Sequence, residues 1–249
     1  VARALGQCRP DTILHLAASG VAPQMREKLD QVAADLAMAE NLLAHAPRGS
    51  RLVVAGSVAE YGLSGLHDEA MACYPGTAYG LGKLAMGLHC LARAQELGHR
   101  VTIARLFGLY GPGEAAGRLL PNLLKCLAAG EPVALSDGMQ ERDFIHVDDA
   151  CDAMLRLAAR AEAPAVVNIG TGEGVTVRAA AEMVADALGA PRELLRFGAV
   201  PRRSTDTPVQ VAATGLLRET IGLVPPQRLV PGLDPAIFTD TPADLRAPS

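Results

Sequence analysis

A chain of 249 residues can bury a sizeable core, and 49% hydrophobic with 20% charged residues at a mean hydropathy of +0.19 describes a globular protein. A net charge of −4 argues against a duplex-binding protein, although Arg202 and Arg203 could meet a few phosphates, and no Trp with only four Tyr and four Phe leaves little surface for stacking bases. The five cysteines are scattered with no C-x-x-C, which argues against a disulfide framework or zinc site and for a reducing cytoplasm, and no apolar run approaches the ~18 residues of a membrane span.

The first residues, Val1 to Leu5, lack a start methionine and a signal-peptide layout, and read as the end of a helix entered midway. Thr12 to Ala17 is a short apolar run that predicts a buried parallel strand. Helical spacing follows over residues 26–46, with Leu29, Val32, Leu36, Leu42 and Leu43 on one face and Pro47 and Gly49 as the stop. Arg51 to Ala55 predicts the next strand, Thr77 to Leu97 a long helix closed by Gly98, and Val101 to Arg105 another strand. Strand and helix alternating with short connections is the pattern of a doubly wound parallel sheet.

Beyond Gly113 the expected elements are a helix over 119–129, strands near 133–135, 143–145 and 166–169, and helices from Asp148 and from Val177 to Leu188. The two acidic residues Asp148 and Asp149 suit a helix N-terminus better than a metal site. From Leu223 on, frequent prolines predict irregular chain.

One constellation carries chemistry: Ser57 after a strand, then Tyr79 and Lys83 four residues apart on the long helix. That spacing puts phenol and ammonium on one face. Free tyrosine titrates near ~10, and a positive charge ~4 Å away at an effective dielectric of ~20 is worth ~4 kcal/mol, or roughly three pKa units. The phenol then enters a range useful for acid–base work. Ser57 falls at the carboxyl end of the sheet, where open α/β folds bind ligands. His15 in an apolar strand and His146 in a loop have no ligand-spaced partners, so structural or substrate-facing roles are expected for both, and no metal site is expected anywhere.

Six segments in order extend this pattern: His15-Leu-Ala-Ala18, Ser57-Val-Ala-Glu-Tyr61-Gly62, Pro75-Gly-Thr-Ala-Tyr79-Gly-Leu-Gly-Lys83, Arg105-Leu-Phe-Gly-Leu-Tyr110-Gly-Pro-Gly113, Arg142-Asp-Phe-Ile-His-Val-Asp-Asp149 and Asn168-Ile-Gly-Thr-Gly172. Together they resemble the extended short-chain dehydrogenase/reductases, the NAD-dependent epimerases and dehydratases that modify nucleotide sugars. The resemblance implies a Rossmann-like α/β fold with a smaller C-terminal α/β substrate-binding subdomain. Residues 1–113 would form the remainder of the dinucleotide-binding domain, and 114–249 mainly the substrate subdomain, with Rossmann elements returning near 143–170.

By the same resemblance Tyr79 is the acid/base, Lys83 lowers its pKa and holds the nicotinamide ribose, and Ser57 hydrogen-bonds the reacting sugar oxygen. Leu16, Ala17, Ala18, Ala55 and Tyr110 would line an NAD or NADP cofactor. Gly108, Pro121, Arg142 and Arg203 would face the nucleoside-diphosphate sugar, the two arginines gripping its diphosphate. Arg105 is expected to be structural. A homodimer through the helices near 26–46 and 77–97 is also implied.

Three departures qualify the resemblance. No G-x-x-G-x-x-G occurs in the 249 residues. That turn offers backbone N–H groups to the pyrophosphate, so the expectation is that a strand, turn and helix, on the order of 60 residues, are missing before Val1 and that this stretch alone binds dinucleotide poorly. Asp35 stands where the family places an Asn that supports the lysine, and Gly108 where it often has Asn. The residues after Ser57 are Val58 and Ala59, whereas the family's 4,6-dehydratases carry an Asp-Glu pair, so ketone reduction or epimerisation at C4 is the expected chemistry. A resemblance of Phe197 to Arg203 to 4-keto-sugar reductases tilts this toward reduction. The alternative is a catalytically silent binding or regulatory protein that keeps the fold without the glycine turn.

Overall fold

The computed structural model describes residues 1–19, 29–203 and 206–238. A short helix, α1 (Ala2–Cys8), leads into strand β1 (Thr12–His15), helix α2 (Asp30–His45) and strand β2 (Arg51–Ser57). Helix α3 (Ala78–Leu97) and strand β4 (Arg100–Leu106) follow, after a short strand β3 (Gly65–His67). Strand β1 ends two residues earlier than expected, so Leu16 and Ala17 lie past its end. Helix α2 starts at Asp30, and residues 26–28 of the expected helix lie outside the described residues.

Four strands form a wholly parallel sheet in the order β1-β2-β4-β8, with β8 at Val166–Ile169. Side chains alternate between its faces, as the period of a strand requires. Leu52, Val54 and Ile103 pack with Ala39 and Leu43 of α2 and Met86 and Cys90 of α3. Val53, Ala55, Ala104, Val167 and Ile169 face the other way, onto Ala153, Met154 and Leu157 of α5 (Val147–Ala159). Both faces are covered by helices, which explains why these strands read as continuous apolar runs. This is the doubly wound arrangement that the alternating pattern predicts.

The second half holds β5 (Gly108–Tyr110), α4 (Leu119–Ala128), β6 (Val133–Leu135), β7 (Glu141–His146), β9 (Gly174–Thr176), α6 (Val177–Ala187), β10 (Leu195–Phe197), β11 (Val209–Ala212) and α7 (Gly215–Ile221). Strands β3, β11, β7 and β5 run side by side, β9 pairs antiparallel with β7, and β10 pairs with β6. A separate apolar cluster joins α4 and α6 through Leu120, Leu123, Ala181 and Val184 with Leu229 and Phe238. His146 is not in a loop: it ends β7 and caps α5, its Nδ1 accepting from the Asp148 amide at 3.3 Å. Asp148 and Asp149 do occupy the first turn of that helix.

A buried carboxylate ties the halves of this region. Asp143, 1% exposed, accepts from the Thr171 amide (2.8 Å) and hydroxyl (2.7 Å), the Gly172 amide (2.9 Å) and the Ala212 amide (3.2 Å). It thereby holds the turn after β8 and strand β11 against β7. Hydrogen bonds to a charged group run about 1.5–3 kcal/mol, and a buried donor left unmatched costs the same order. Asp143→Asn keeps the shape but turns an NH2 toward these donors. We expect a loss of about 3 kcal/mol, seen as a lower urea midpoint with an unchanged denaturant slope.

Candidate active site

Ser57 is the last residue of β2, 9% exposed, at the carboxyl end of the parallel sheet. The chain then turns through a single 3-10 turn, Val58–Glu60. Ser57 Oγ accepts from the Ala59 amide at 3.2 Å, and Glu60 Oε1 accepts from the Ser57 amide at 2.8 Å. This reciprocal box fixes the serine while leaving its hydroxyl proton free to donate. The sequence carried its signature, a Ser followed three residues later by Glu.

The second oxygen of Glu60 accepts from Arg105 Nε at 2.8 Å; the two side chains are 1% and 7% exposed. The guanidinium also lies 4.5 Å over the Tyr61 ring and donates to Cys73 Sγ at 3.2 Å. Burial opposes the charge on Arg105, and the Glu60 carboxylate more than restores it, holding the guanidinium above its ordinary range. Tyr61 in turn donates to Asn168 Oδ1 at 2.8 Å, and burial raises its phenol. Arg105 is therefore a structural residue, as expected, and it braces the turn that carries Ser57.

Helix α3 begins where Thr77 Oγ1 accepts from the Gly80 amide at 3.1 Å, and ends at Gly98 in the left-handed region. Its first turn presses on the 3-10 turn: a Cβ at Gly80 would lie 2.4 Å from the Ala59 carbonyl oxygen. Only glycine allows that approach, which brings the residue before it, the half-buried Tyr79, to the Ser57 turn. One helical turn on, Lys83 is 3% exposed and donates from Nζ to the Ala55 carbonyl oxygen at 2.7 Å. Burial pulls the ammonium below its ordinary value, while Asp35 and then Glu60 push it back.

Ser57, Tyr79 and Lys83 are thus gathered at one edge of the sheet. Ala55 joins them through its carbonyl, its side chain being 5% exposed in the core. Leu16, 57% exposed, and Ala17, also exposed, lie with the half-buried Ala18 just past β1. His15, buried at the end of β1, has its pKa lowered by burial and by the Lys83 charge, and its Nε2 has no hydrogen-bond partner among the described residues.

The other expected residues are placed differently. Tyr110 is 2% exposed, its ring edge-on to Phe144 and His146 at 6.5 and 5.3 Å, and burial raises its phenol. That packing gives the ring a structural purpose of its own. Gly108 opens β5 so tightly that a Cβ would sit 2.8 Å from the Asp143 carbonyl oxygen, which accounts for glycine there. Pro121 is half-buried in the first turn of α4. Arg142 is turned inward: it donates to the carbonyl oxygens of Glu141 (2.7 Å) and Thr207 (2.9 Å) and pairs with Asp206 (2.8 Å). Arg203 is exposed. No cluster able to hold a metal occurs among the described residues. None of their helices is long and apolar enough to cross a membrane.

A doubly wound parallel sheet with a serine at a strand end and a Tyr-x-x-x-Lys helix packed on it defines a class of nucleotide-dependent α/β enzyme folds. The chain belongs to the NAD dependent epimerase/dehydratase family, which it matches over residues 1–170. It is 32% identical to the dTDP-6-deoxy-L-talose 4-dehydrogenase (NAD(P)(+)) of Kitasatospora kifunensis, over 89% of this chain and 72% of that protein. It is 30% identical to the GDP-6-deoxy-D-mannose reductase of Pseudomonas aeruginosa, over 87% of this chain and 75% of that one. Among solved structures, MoeE5 in complex with UDP-glucuronic acid and NAD superposes with a TM-score of 0.80 at 30% identity, covering 92% of this chain and 77% of that one.

The Glu60–Arg105 pair yields a direct test. Glu60→Gln keeps the shape but leaves a buried guanidinium without its counter-charge, a change of about 3–5 kcal/mol when one partner of such a pair is lost. We expect a fall of that order in unfolding free energy, measured by urea denaturation at neutral pH.

Proposed function

We propose that this protein is an NAD(P)-dependent oxidoreductase of nucleoside-diphosphate sugars, acting at the sugar C4 by ketone reduction or by epimerisation, with Tyr79 as the acid/base. The observation that carries the reading is the buried Lys83 ammonium, one helical turn from Tyr79 and anchored at 2.7 Å to the strand that ends in Ser57. The residues present suit the nicotinamide-ribose end of the cofactor. One of the three donors of the Lys83 ammonium goes to Ala55, and ribose hydroxyls are acceptors matched to the others. The small residues Ala17 and Ala18 leave room beside the strand end for a flat ligand. When bound, the cofactor supplies or takes a hydride at nicotinamide C4.

The protein's own residues then manage the proton. Lys83 stabilises a phenolate at Tyr79. Tyr79 gives its proton to the C4 oxygen during reduction, or takes it from the C4 hydroxyl during oxidation. Ser57, whose amide and oxygen are already committed to Glu60 and Ala59, keeps its hydroxyl proton for the same sugar oxygen. Dehydration would need a further acid and base near Ser57. The only carboxylate in that turn, Glu60, is 1% exposed and paired with Arg105, which favours reduction or epimerisation.

In this reading residues 1–113 carry the cofactor-facing groups, and 114–249 mainly the sugar-facing ones, with 143–170 returning to the first sheet through β8. Gly108, Pro121, Arg142 and Arg203 border the nucleotide sugar. The names of the related dehydrogenase and reductase, a dTDP-sugar and a GDP-sugar enzyme, support the substrate class. Pairing with a second copy through α2 and α3 is part of the proposal, supported by the exposed Leu81 and Leu88 on α3. The five free cysteines suit a reducing compartment such as the cytoplasm.

The test is Tyr79→Phe, assayed by nicotinamide absorbance with 4-keto nucleotide sugars and NADH or NADPH. Turnover should fall by roughly a hundredfold or more, with nucleotide-sugar affinity nearly unchanged. Retained turnover with weakened binding would remove Tyr79 from this role.

A further inference from the structure

His67 closes the short strand β3 with no exposed surface, and neither ring nitrogen has a hydrogen-bond partner among the described residues. Its ring stacks on Tyr61 at 4.6 Å and lies tilted to Phe107 at 6.1 Å, against the apolar cluster that those two rings form with Ala212. A neutral imidazole leaves one donor and one acceptor unmatched there. A protonated one would leave two donors unmatched and bury a charge, which is far costlier. The packing suits only the neutral ring, and burial holds its pKa below the ordinary 6.5.

None of the charged or titratable groups on the elements around it meets the ring with a counter-charge. The Arg105 guanidinium of β4 lies 4.5 Å from the Tyr61 centroid, so a protonated His67 would add a second cation at the same ring. In the turn after β2, Glu60 is paired with Arg105, and burial raises the Tyr61 phenol, which stays neutral. In the chain after β3, Asp68 is exposed, burial raises the Cys73 thiol, and the Glu69 carboxylate accepts from the Asn168 amide at 2.8 Å. Strands β8 and β11 bring no titratable side chain. The same residue also holds its surroundings together. Its carbonyl oxygen accepts from Asn168 Nδ2 and from the Ala213 amide, both at 2.8 Å. The stacked Tyr61 donates to Asn168 Oδ1, and its carbonyl oxygen accepts from the Tyr74 amide at 2.9 Å. Tyr61 directly follows the 3-10 turn that Ser57 caps.

We propose that His67 is an acid-sensitive latch: as a neutral ring it closes the Tyr61 stack at the end of the Ser57 turn, and protonation drives it out and frees that turn. The latch stands apart from the catalytic reading and does not rest on it. Because the folded ring binds a proton less readily than an exposed one, the opened state takes the proton first. Closure is fully favoured above pH 6.5 and weakens by about tenfold for each pH unit below it, until the folded ring itself titrates. Glu69 works with the opposite sign. Burial holds its folded carboxyl above the usual range, so through Glu69 acid favours the closed form.

Native-state hydrogen exchange, read by mass spectrometry on peptides covering residues 57–74 and corrected for the intrinsic effect of pH, measures the opening directly. Between about pH 7.5 and about pH 5.5 the opening of this stretch should rise about tenfold in the native protein, while peptides from α4 and α6 change little. In His67→Phe, which keeps a stacked ring with no proton to gain, the rise should vanish. His67→Gln removes the same proton and serves where the phenylalanine variant does not fold. His15, also held below its ordinary value by burial, is unchanged in both variants, so its titration cancels from the comparison. The same rise in a folded variant, a rise shared equally by α4 and α6, or no rise in the native protein overturns the proposal.

Discussion

An ammonium held in the interior, with its proton donated to a strand carbonyl, constrains nearly everything at the carboxyl edge of this sheet. Lys83 reaches the Ala55 carbonyl of β2, and the glycines at positions 80 and 82 let the first turns of α3 lie close to the turn after β2 and to α2. Gly80 meets the Ala59 carbonyl and Gly82 meets Asp35. A side chain at position 80 would collide with the Ala59 carbonyl oxygen and push the first turn of the helix off the turn that follows Ser57, so that glycine is a packing requirement.

Around this charge the interior is polar, and several of its groups are matched to one another, while His15 Nε2, both ring nitrogens of His67 and Arg105 Nη1 have no hydrogen-bond partner among the described residues. Glu60 serves Ser57 and Arg105; Arg105 covers the Tyr61 ring, which stacks on His67 at 4.6 Å; Tyr61 donates to Asn168 Oδ1, and the Asn168 side-chain amide donates to the His67 carbonyl oxygen. Breaking one member exposes the next, since a buried donor or acceptor without its partner carries its full desolvation cost. Rigid placement of Ser57 follows from this chain of bonds rather than from the serine itself. It is the kind of support that a hydroxyl needs if it is to meet one oxygen of a sugar at a fixed distance.

Much of the pattern was legible from the residues alone: α2, α3, α5 and α6 carry apolar spacing over several turns, the four parallel strands are short apolar runs, and Thr77 and Gly98 mark the ends of α3. The short strands β3, β5 and β11 were not, because Gly65-Leu-His67, Gly108-Leu-Tyr110 and Val209-Gln-Val-Ala212 carry no continuous apolar run and their partners lie far along the chain. Gln210 pairs with Gly65 and with Arg142, contacts that only the folded chain reveals. At the site, Ser57, Tyr79 and Lys83 could be found by type and spacing. The role of Glu60 could not be assigned so directly: it was present as a capping signature that pointed to a helix start rather than to Arg105.

The inward turn of Arg142 bears on how the second half of the chain is held together. Its guanidinium ties β7 to the chain at Asp206 and Thr207, just before β11. Asp206 is 30% exposed as a side chain against 15% for Arg142, so the pair sits at the edge of the interior, where a carboxylate neutralises the arginine without sealing it away. Strand β11 also donates to Asp143 through the Ala212 amide, so its start is tied to β7 by Arg142 and its end by the buried carboxylate that also holds the turn after β8.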